Sequence, residues 1–268
     1  MKTKHCIVGS ILLFALTACA IPGLSQPAAL PTFDQNAIPT MVALTANAAM
    51  TQAAVTPTPF APPDPSEATL EQLPDGSTKY TDKEAGFEII FPAGWLTLRP
   101  NSDEFNSALA NEAAKNDLLR DQMEADMSDY QVGEDRLYSY PLRPDIEKNF
   151  NFGFAELKWD PDDPDPIDEN VMGETIRYLE SSGALPGFRA DTAQTFENGN
   201  QIKLIEVGGL VSLSTDQGDV IPLYLEYFIF KPTSGTSALM SFTYLKDYKL
   251  PLHEDVMSVI NSIKLLGQ

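Results

Sequence analysis

Few residues in this chain of 268 are equipped to do chemistry, and their positions narrow the chemistry quickly. Both cysteines, Cys6 and Cys19, lie in the first 19 residues. Everything downstream therefore lacks the thiol that a disulfide, a thiolate metal site or a Cys–His nucleophile requires. The two histidines are His5 and His253, and His253 stands at the start of a C-terminal helical pattern beside Glu254 and Asp255. One imidazole is able to act as a general base, but on an acidic helical turn it reads as a surface residue. The chain has no Gly-x-Ser-x-Gly elbow, phosphate-binding glycine loop or His-Glu-x-x-His helix. What remains is oxygen chemistry. Asp160, Asp162, Asp163, Asp165 and Asp168, with Glu169, crowd into ten residues, and carboxylate oxygens are the hard ligands that calcium prefers. The run lacks the glycine and the ordered spacing of an EF-hand loop, and Pro161, Pro164 and Pro166 stiffen it. It is expected to be a solvated acidic loop that binds metal weakly at most, with Asp168 capping the helix that follows. Tyr130, Tyr138, Tyr140, Trp159 and Tyr178 form an aromatic group able to line a ligand-binding face. Packing in the core and its rim accounts for them equally well, and Trp95 reads as core.

Cys19 carries a different chemistry. Lys2 and Lys4 precede an uncharged, mostly apolar run from Cys6 to Leu16, too short for the roughly 20 residues that cross a bilayer and suited to a secretory signal. The run ends in Leu16-Thr17-Ala18-Cys19, which resembles the bacterial lipobox: a branched apolar residue, two small residues, then a cysteine. That resemblance implies cleavage after Ala18 and a thioether from Cys19 to diacylglycerol, with palmitate-type acyl chains. At about 0.8 kcal/mol per buried CH₂, two or three chains anchor a protein stably where one is marginal. Ala20 is not the aspartate that commonly retains lipoproteins in an inner membrane, so the cell membrane and the outer membrane both remain open. The expected address is a lipid-anchored protein of the cell envelope, facing out of the cytoplasm.

Bulk composition agrees with one folded domain on a tether. Hydrophobic residues make up 43% of the chain, ordinary for a packed core. Formal net charge is -20 and grows more negative once Lys2 and Lys4 leave with the signal. Such a charge repels nucleic acid phosphates and anionic headgroups, and it suits cationic partners or loosely held divalent ions. Residues 19–77 are rich in proline, alanine and threonine, and Thr56-Pro57-Thr58-Pro59 is expected to be extended. Residues 36–55 carry only a thin apolar stripe, enough for a weak helix. The expected organisation is a signal over 1–18, a lipidated tether over 19–77 and a globular domain over 78–268.

Within 78–268 the elements follow from periodicity and turn signals. Short strands are expected at 79–82, 86–92 and 96–99. One long or broken helix follows to Ser128, capped by Asn101 with Glu104 three residues on. Strands are expected at 137–140 and 150–159, then a helix from Asp168 to Ser182 stopped by Gly183. A meander over 191–196, 202–213, 221–231 and 238–245 turns at Asn198-Gly199 and again at Asp216–Asp219. A last helix runs from Leu252 to Ile263. The fold class is α+β: a central antiparallel β-sheet flanked by helices, an α/β/α sandwich.

The run Tyr80-Thr81-Asp82-Lys83-Glu84-Ala85-Gly86-Phe87-Glu88-Ile89-Ile90-Phe91-Pro92-Ala93-Gly94-Trp95 resembles the opening of Mog1/PsbP-like domains. Asn149-Phe150-Asn151-Phe152 and the closing Asn261-Ser262-Ile263 are similar to bacterial members. The resemblance spans about 78–265 and implies the same sheet between helices. It implies no activity, because relatives range from a photosystem subunit to a Ran-binding protein and envelope lipoproteins. The expectation is therefore a non-catalytic binding or assembly module, with no cofactor, a membrane contact through Cys19, an envelope protein as partner and no nucleic acid. The alternatives are a carboxylate-dependent envelope hydrolase and a weakly calcium-responsive surface protein.

Overall fold

Thr78–Asp82 (β2) and Phe87–Phe91 (β3) alternate buried with half-buried residues along their length, the period of a strand with one face in a core. The computed structural model describes residues 68–113, 116–142, 153–181, 185, 187–214 and 220–267. The signal, Cys19, most of the tether, Asn149–Phe152, Gly183 and the Asp216–Asp219 turn lie outside the described residues.

The strands form two antiparallel sheets where one was expected. The first has four strands, in the order β1 (Ala68–Gln72), β2, β3 and β11 (Lys264–Leu265). The second has seven, in the order β4 (Trp95–Leu98), β5 (Asp135–Pro141), β6 (Gly153–Asp160), β10 (Ser237–Leu245), β9 (Val220–Phe230), β8 (Lys203–Ser214) and β7 (Arg189–Glu197). Pro92 and Gly94 mark the division. Pro92 ends β3, Trp95 N–H donates to its carbonyl across a tight turn, and the chain leaves the small sheet to begin the large one. The folded part also reaches at least ten residues ahead of the expected boundary at 78. β1 pairs with β2 from Ala68↔Asp82 to Gln72↔Thr78, and the Asp75 carboxylate closes the turn by accepting from the Ser77 N–H at 3.0 Å and its hydroxyl at 2.6 Å.

Four helices are present among the described residues: α1 (Asp103–Asn111), α2 (Asp117–Ser128), α3 (Glu169–Ser181) and α4 (Lys249–Ser262). The expected long helix is two. Its first cap is Ser102, not Asn101: Ser102 is extended and its hydroxyl accepts from Phe105 N–H at 3.1 Å, whereas Asn101 takes a left-handed φ of 54°. One face of the large sheet carries the main core. Leu157, Met240, Phe228 and Phe230 meet Phe87, Ile89 and Phe91 of the small sheet and Val256, Val259 and Ile260 of α4. Burying each such side chain contributes about 1.5–3 kcal/mol. The opposite face is covered in two places, by α1 and α2 over Tyr138 and Tyr140 and by α3 over Ile205, Val207 and Tyr227.

Two details of β7–β8 go beyond the sequence reading. The hairpin turns at Asn198-Gly199 as expected, with pairing up to Glu197↔Lys203. Asn198 is drawn inward. Its amide donates to the carbonyls of Ile260 and Ile263 at 3.0 and 2.9 Å, and its oxygen accepts from Asn200 and Ile202 N–H, each at 3.0 Å. Further along, β7 bulges between Ala190 and Thr192 and brings its backbone against Gly209. A Cβ there would stand 2.2 Å from the Arg189 carbonyl oxygen, so only glycine fits.

Candidate functional site

A concavity of about 390 Å³ opens where the small sheet, β4 and α1 meet. Its apolar lining is Leu70, Trp95 and Leu96, and its neutral polar lining is Gln72, Thr78 and Thr97. Arg99 and Glu104 complete the rim. Local structure fixes each of these. Thr97 is held by a 2.8 Å hydroxyl–hydroxyl hydrogen bond to Ser139 on β5. The Trp95 indole N–H donates to Asp255 of α4 at 3.3 Å. Arg99 donates from Nε to Glu104 at 2.5 Å and from its terminal nitrogen to the Ala68 carbonyl at 2.7 Å. Burial pushes the Glu104 carboxyl up, but Arg99 and the backbone pull it further down, and it sits below its ordinary value. The pocket thus offers a shaped apolar floor with neutral hydrogen-bonding groups, and its one carboxylate is already spent on an arginine.

The most concentrated polar chemistry lies elsewhere, under α2. Asp126 is 1% exposed; it accepts from the Tyr140 hydroxyl at 2.5 Å and from the Gln122 amide at 2.6 Å. Asp135 accepts from the Tyr138 hydroxyl at 3.0 Å, from Gln131 N–H at 2.8 Å and from Lys158 at 2.7 Å. Lys158 also pairs with Glu156 at 2.8 Å. Burial pushes Asp126 up to about 7, against the pull of the Tyr140 and Gln122 hydrogen bonds, and the charges of Glu156 and Asp135 add to the rise. Burial raises Glu156 as well, more than Lys158 lowers it. Burial pulls Lys158 down, but Glu156 and Asp135 outweigh it and leave the ammonium above its usual value. Each acid in this network is held by groups of the fold, and no carboxylate of it lines the pocket. Sequence reasoning missed this network; only the alternative of a carboxylate-dependent hydrolase pointed towards it.

The structure separates most of the residues singled out from sequence. Tyr138 and Tyr140 are buried in the network under α2, Trp159 faces the opposite side of the sheet with the Arg136 guanidinium 4.4 Å over its ring, and Tyr178 packs on α3. Tyr130 is half-buried. They make no common face. Trp95 is core and also lines the pocket. In the acidic run, the carboxylates turn onto nearby backbone: Asp160 accepts from Asp162 N–H at 2.8 Å and Asp163 from Asp165 N–H at 2.9 Å. Asp168 accepts from Asn170 and Val171 N–H at 2.9 and 3.0 Å, the capping role expected of it. Lys231 pairs with Asp163 at 3.6 Å. Among the described residues no three His, Cys, Asp or Glu side chains converge as metal ligands. His253 is exposed on α4.

No family model matches this chain, and no curated protein matches it. Solved structures to which it is similar include the solution structure of cyanobacterial PsbP from Synechocystis, at 11% identity and a TM-score of 0.42 over 71% of this chain and 93% of that one. Another is the Ran-binding protein Mog1p of Saccharomyces cerevisiae, at 10% identity and a TM-score of 0.39 over 75% of this chain and 96% of that one. The likeness is one of fold, and no residue's role is taken from it.

Proposed function

We propose that this chain is a non-catalytic binding or assembly module, held at an envelope membrane by lipid on Cys19 and presenting its folded domain outside the cytoplasm. The observation that carries the reading is the state of the pocket. Its only carboxylate, Glu104, is bound by Arg99 at 2.5 Å, so no free carboxylate stands among its lining residues to act as general base and activate the threonine hydroxyls beside it. Its apolar floor, its neutral hydrogen-bonding groups and a rim whose Arg99 and Glu104 charges are paired with each other suit a small neutral ligand or an uncharged side chain of a partner protein. The lipobox-like run ending at Cys19 supports the anchor, and the Pro-rich segment after it suits a spacer.

The rival reading, a carboxylate-dependent hydrolase, has Asp126 on its side, an acid that keeps its proton to about pH 7. Against it, both Asp126 oxygens are taken by Tyr140 and Gln122, and the residue is almost without solvent access. The full chain, with Glu104→Gln and Asp126→Asn beside it, is to be assayed on ester, phosphate ester, glycoside and peptide substrates. No turnover is expected; turnover lost in either variant overturns the reading. Metabolic labelling with a fatty acid tests the anchor: label is expected on the unaltered chain and absent from Cys19→Ala. Label persisting on Cys19→Ala refutes it.

A further inference from the structure

The core-bearing face of the large sheet ends, beside the first turn of α4, in a polar corner that neither the pocket nor the Asp126 network uses. Tyr224 and Tyr244 stand opposite each other on β9 and β10, and their rings stack with centroids 5.8 Å apart. The Tyr224 hydroxyl donates to Asp191, and the Gln194 amide donates to Glu206 at 2.7 Å. Glu226 lies on the same face, two residues along from Tyr224 and opposite Gly208. Gly208 leaves room there, since a Cβ would fall 2.9 Å from the Tyr224 hydroxyl and 3.4 Å from Glu226 Cγ. Over the Tyr224 ring, 3.5 Å from its centroid, stands the ammonium of Lys249. Glu226 is 2% exposed and Tyr244 1%. Glu226 Oε2 and the Tyr244 hydroxyl lie near each other out of solvent, and neither makes a hydrogen bond of good geometry among the described residues.

An acid buried in this way costs free energy unless something answers it. Burial raises the Glu226 carboxyl, more than Tyr244 and Lys249 lower it. Asp191 and Glu206 already have partners; Glu226 lacks a full complement. The corner brings together a carboxylate, a phenol hydroxyl beside it and an aromatic face that already holds an ammonium, the set that recognises an alkylammonium through charge, hydrogen bonding and cation–π attraction. We propose that this corner is a binding site for a primary ammonium on an aliphatic stem, and that the chain's own Lys249 stands at its aromatic wall until such a ligand displaces it. Lys249 is the first residue of α4 and is half-buried, so its side chain can leave the ring without breaking an interior turn of the helix.

The test is titration of the full chain with N-acetyl-lysine-methylamide, its uncharged norleucine analogue and n-butylamine, followed by NMR of the tyrosine rings. Lys249→Met removes the resident ammonium and is expected to bind the lysine probe about tenfold more tightly than the unaltered chain, with the norleucine analogue silent. Adding Glu226→Gln to Lys249→Met is expected to abolish that gain. Binding of n-butylamine as tightly as the lysine probe identifies a free amine as sufficient, and binding of the lysine probe alone assigns the site to a lysine of a polypeptide. Equal responses to lysine and norleucine, or no gain in Lys249→Met, overturn the proposal. Should Lys249→Met not fold, the unaltered chain decides: at high probe concentration the lysine derivative must move the Tyr224 and Tyr244 ring signals where norleucine does not.

Discussion

Asp126→Asn removes one buried acid while keeping its shape, and the consequence has a calculable pH dependence. Burial holds the Asp126 carboxyl at about 7 in the folded chain, against an ordinary value of 3.8. The folded state therefore holds this proton more tightly than the unfolded state. Its contribution to stability is fully present below about pH 3.8 and is lost as pH rises through 7. A rise of about three units, at about 1.4 kcal/mol per unit, is worth ~4 kcal/mol. Asparagine does not titrate, so the unfolding free energy of Asp126→Asn minus that of the unaltered chain should rise by ~4 kcal/mol between about pH 4 and pH 8. The steepest change should fall between those limits, and a constant offset from altered hydrogen bonds to Tyr140 and Gln122 leaves the slope untouched. Glu156 and Glu226 are also raised by burial, but they are present in both proteins and largely cancel in the difference. Urea unfolding at a series of pH values, followed by tryptophan fluorescence, measures it. A difference that stays constant from pH 4 to pH 8 would refute the assignment of a buried, proton-holding Asp126.

Three further outcomes follow from the fold. Asn198→Ala removes two hydrogen bonds that tie the β7–β8 turn to the end of α4 and two that hold the turn itself, and a loss of ~3 kcal/mol is expected in urea unfolding because the Asn200 and Ile202 N–H groups lose their acceptor and the Ile260 and Ile263 carbonyls each lose one donor. Gly209→Ala sets a methyl against the Arg189 carbonyl and should cost ~3 kcal/mol or more, visible as a lowered midpoint with an unchanged far-UV spectrum at low temperature. Calcium should bind with a dissociation constant of about 10⁻⁴ M or weaker, because the acidic loop supplies no complete cage of oxygens; micromolar binding by calorimetry, abolished by Asp163→Ala and Asp165→Ala, would contradict it.

Sequence periodicity located the strands of the large sheet to within a few residues, because each alternates against one packed face over many positions, as Ser237–Leu245 does. It also located α3 and α4, whose apolar residues recur at helical spacing. It missed β1, where Ala-Thr-Leu-Glu-Gln offers a single large apolar residue and the strand is defined by its partner β2. It missed β11 for the same reason: two residues carry no period. The division into two sheets was illegible because a turn such as Pro92–Trp95 reads alike whether the next strand joins the same sheet or another. Asn198-Gly199 signalled the turn, but not the inward role of the Asn198 side chain, since the carbonyls it donates to lie more than sixty residues away. The pocket and the ammonium corner escaped notice for a common cause. Leu70, Trp95 and Glu104 come from the small sheet, the large sheet and α1, and Tyr224 and Tyr244 from paired strands with Lys249 added by α4, and no local spacing announces either meeting.

The small sheet has an implication for how the domain is made. Its strand order places β1, from the first described residues, at one edge and β11, from the last, at the other. Three strand spacings of about 4.8 Å separate those edges, so the two ends of the domain lie on the order of 15 Å apart. A chain emerging vectorially, N-terminus first, exposes β1 to β3 long before α4 exists to cover Phe87, Ile89 and Phe91. The sheet made first is thus finished last, when Lys264 and Leu265 pair with Glu88 and Phe87. Until those residues emerge, Phe87, Ile89 and Phe91 lack the cover that α4 gives them. A chain cut short before α4 would leave that surface bare and open to proteolysis.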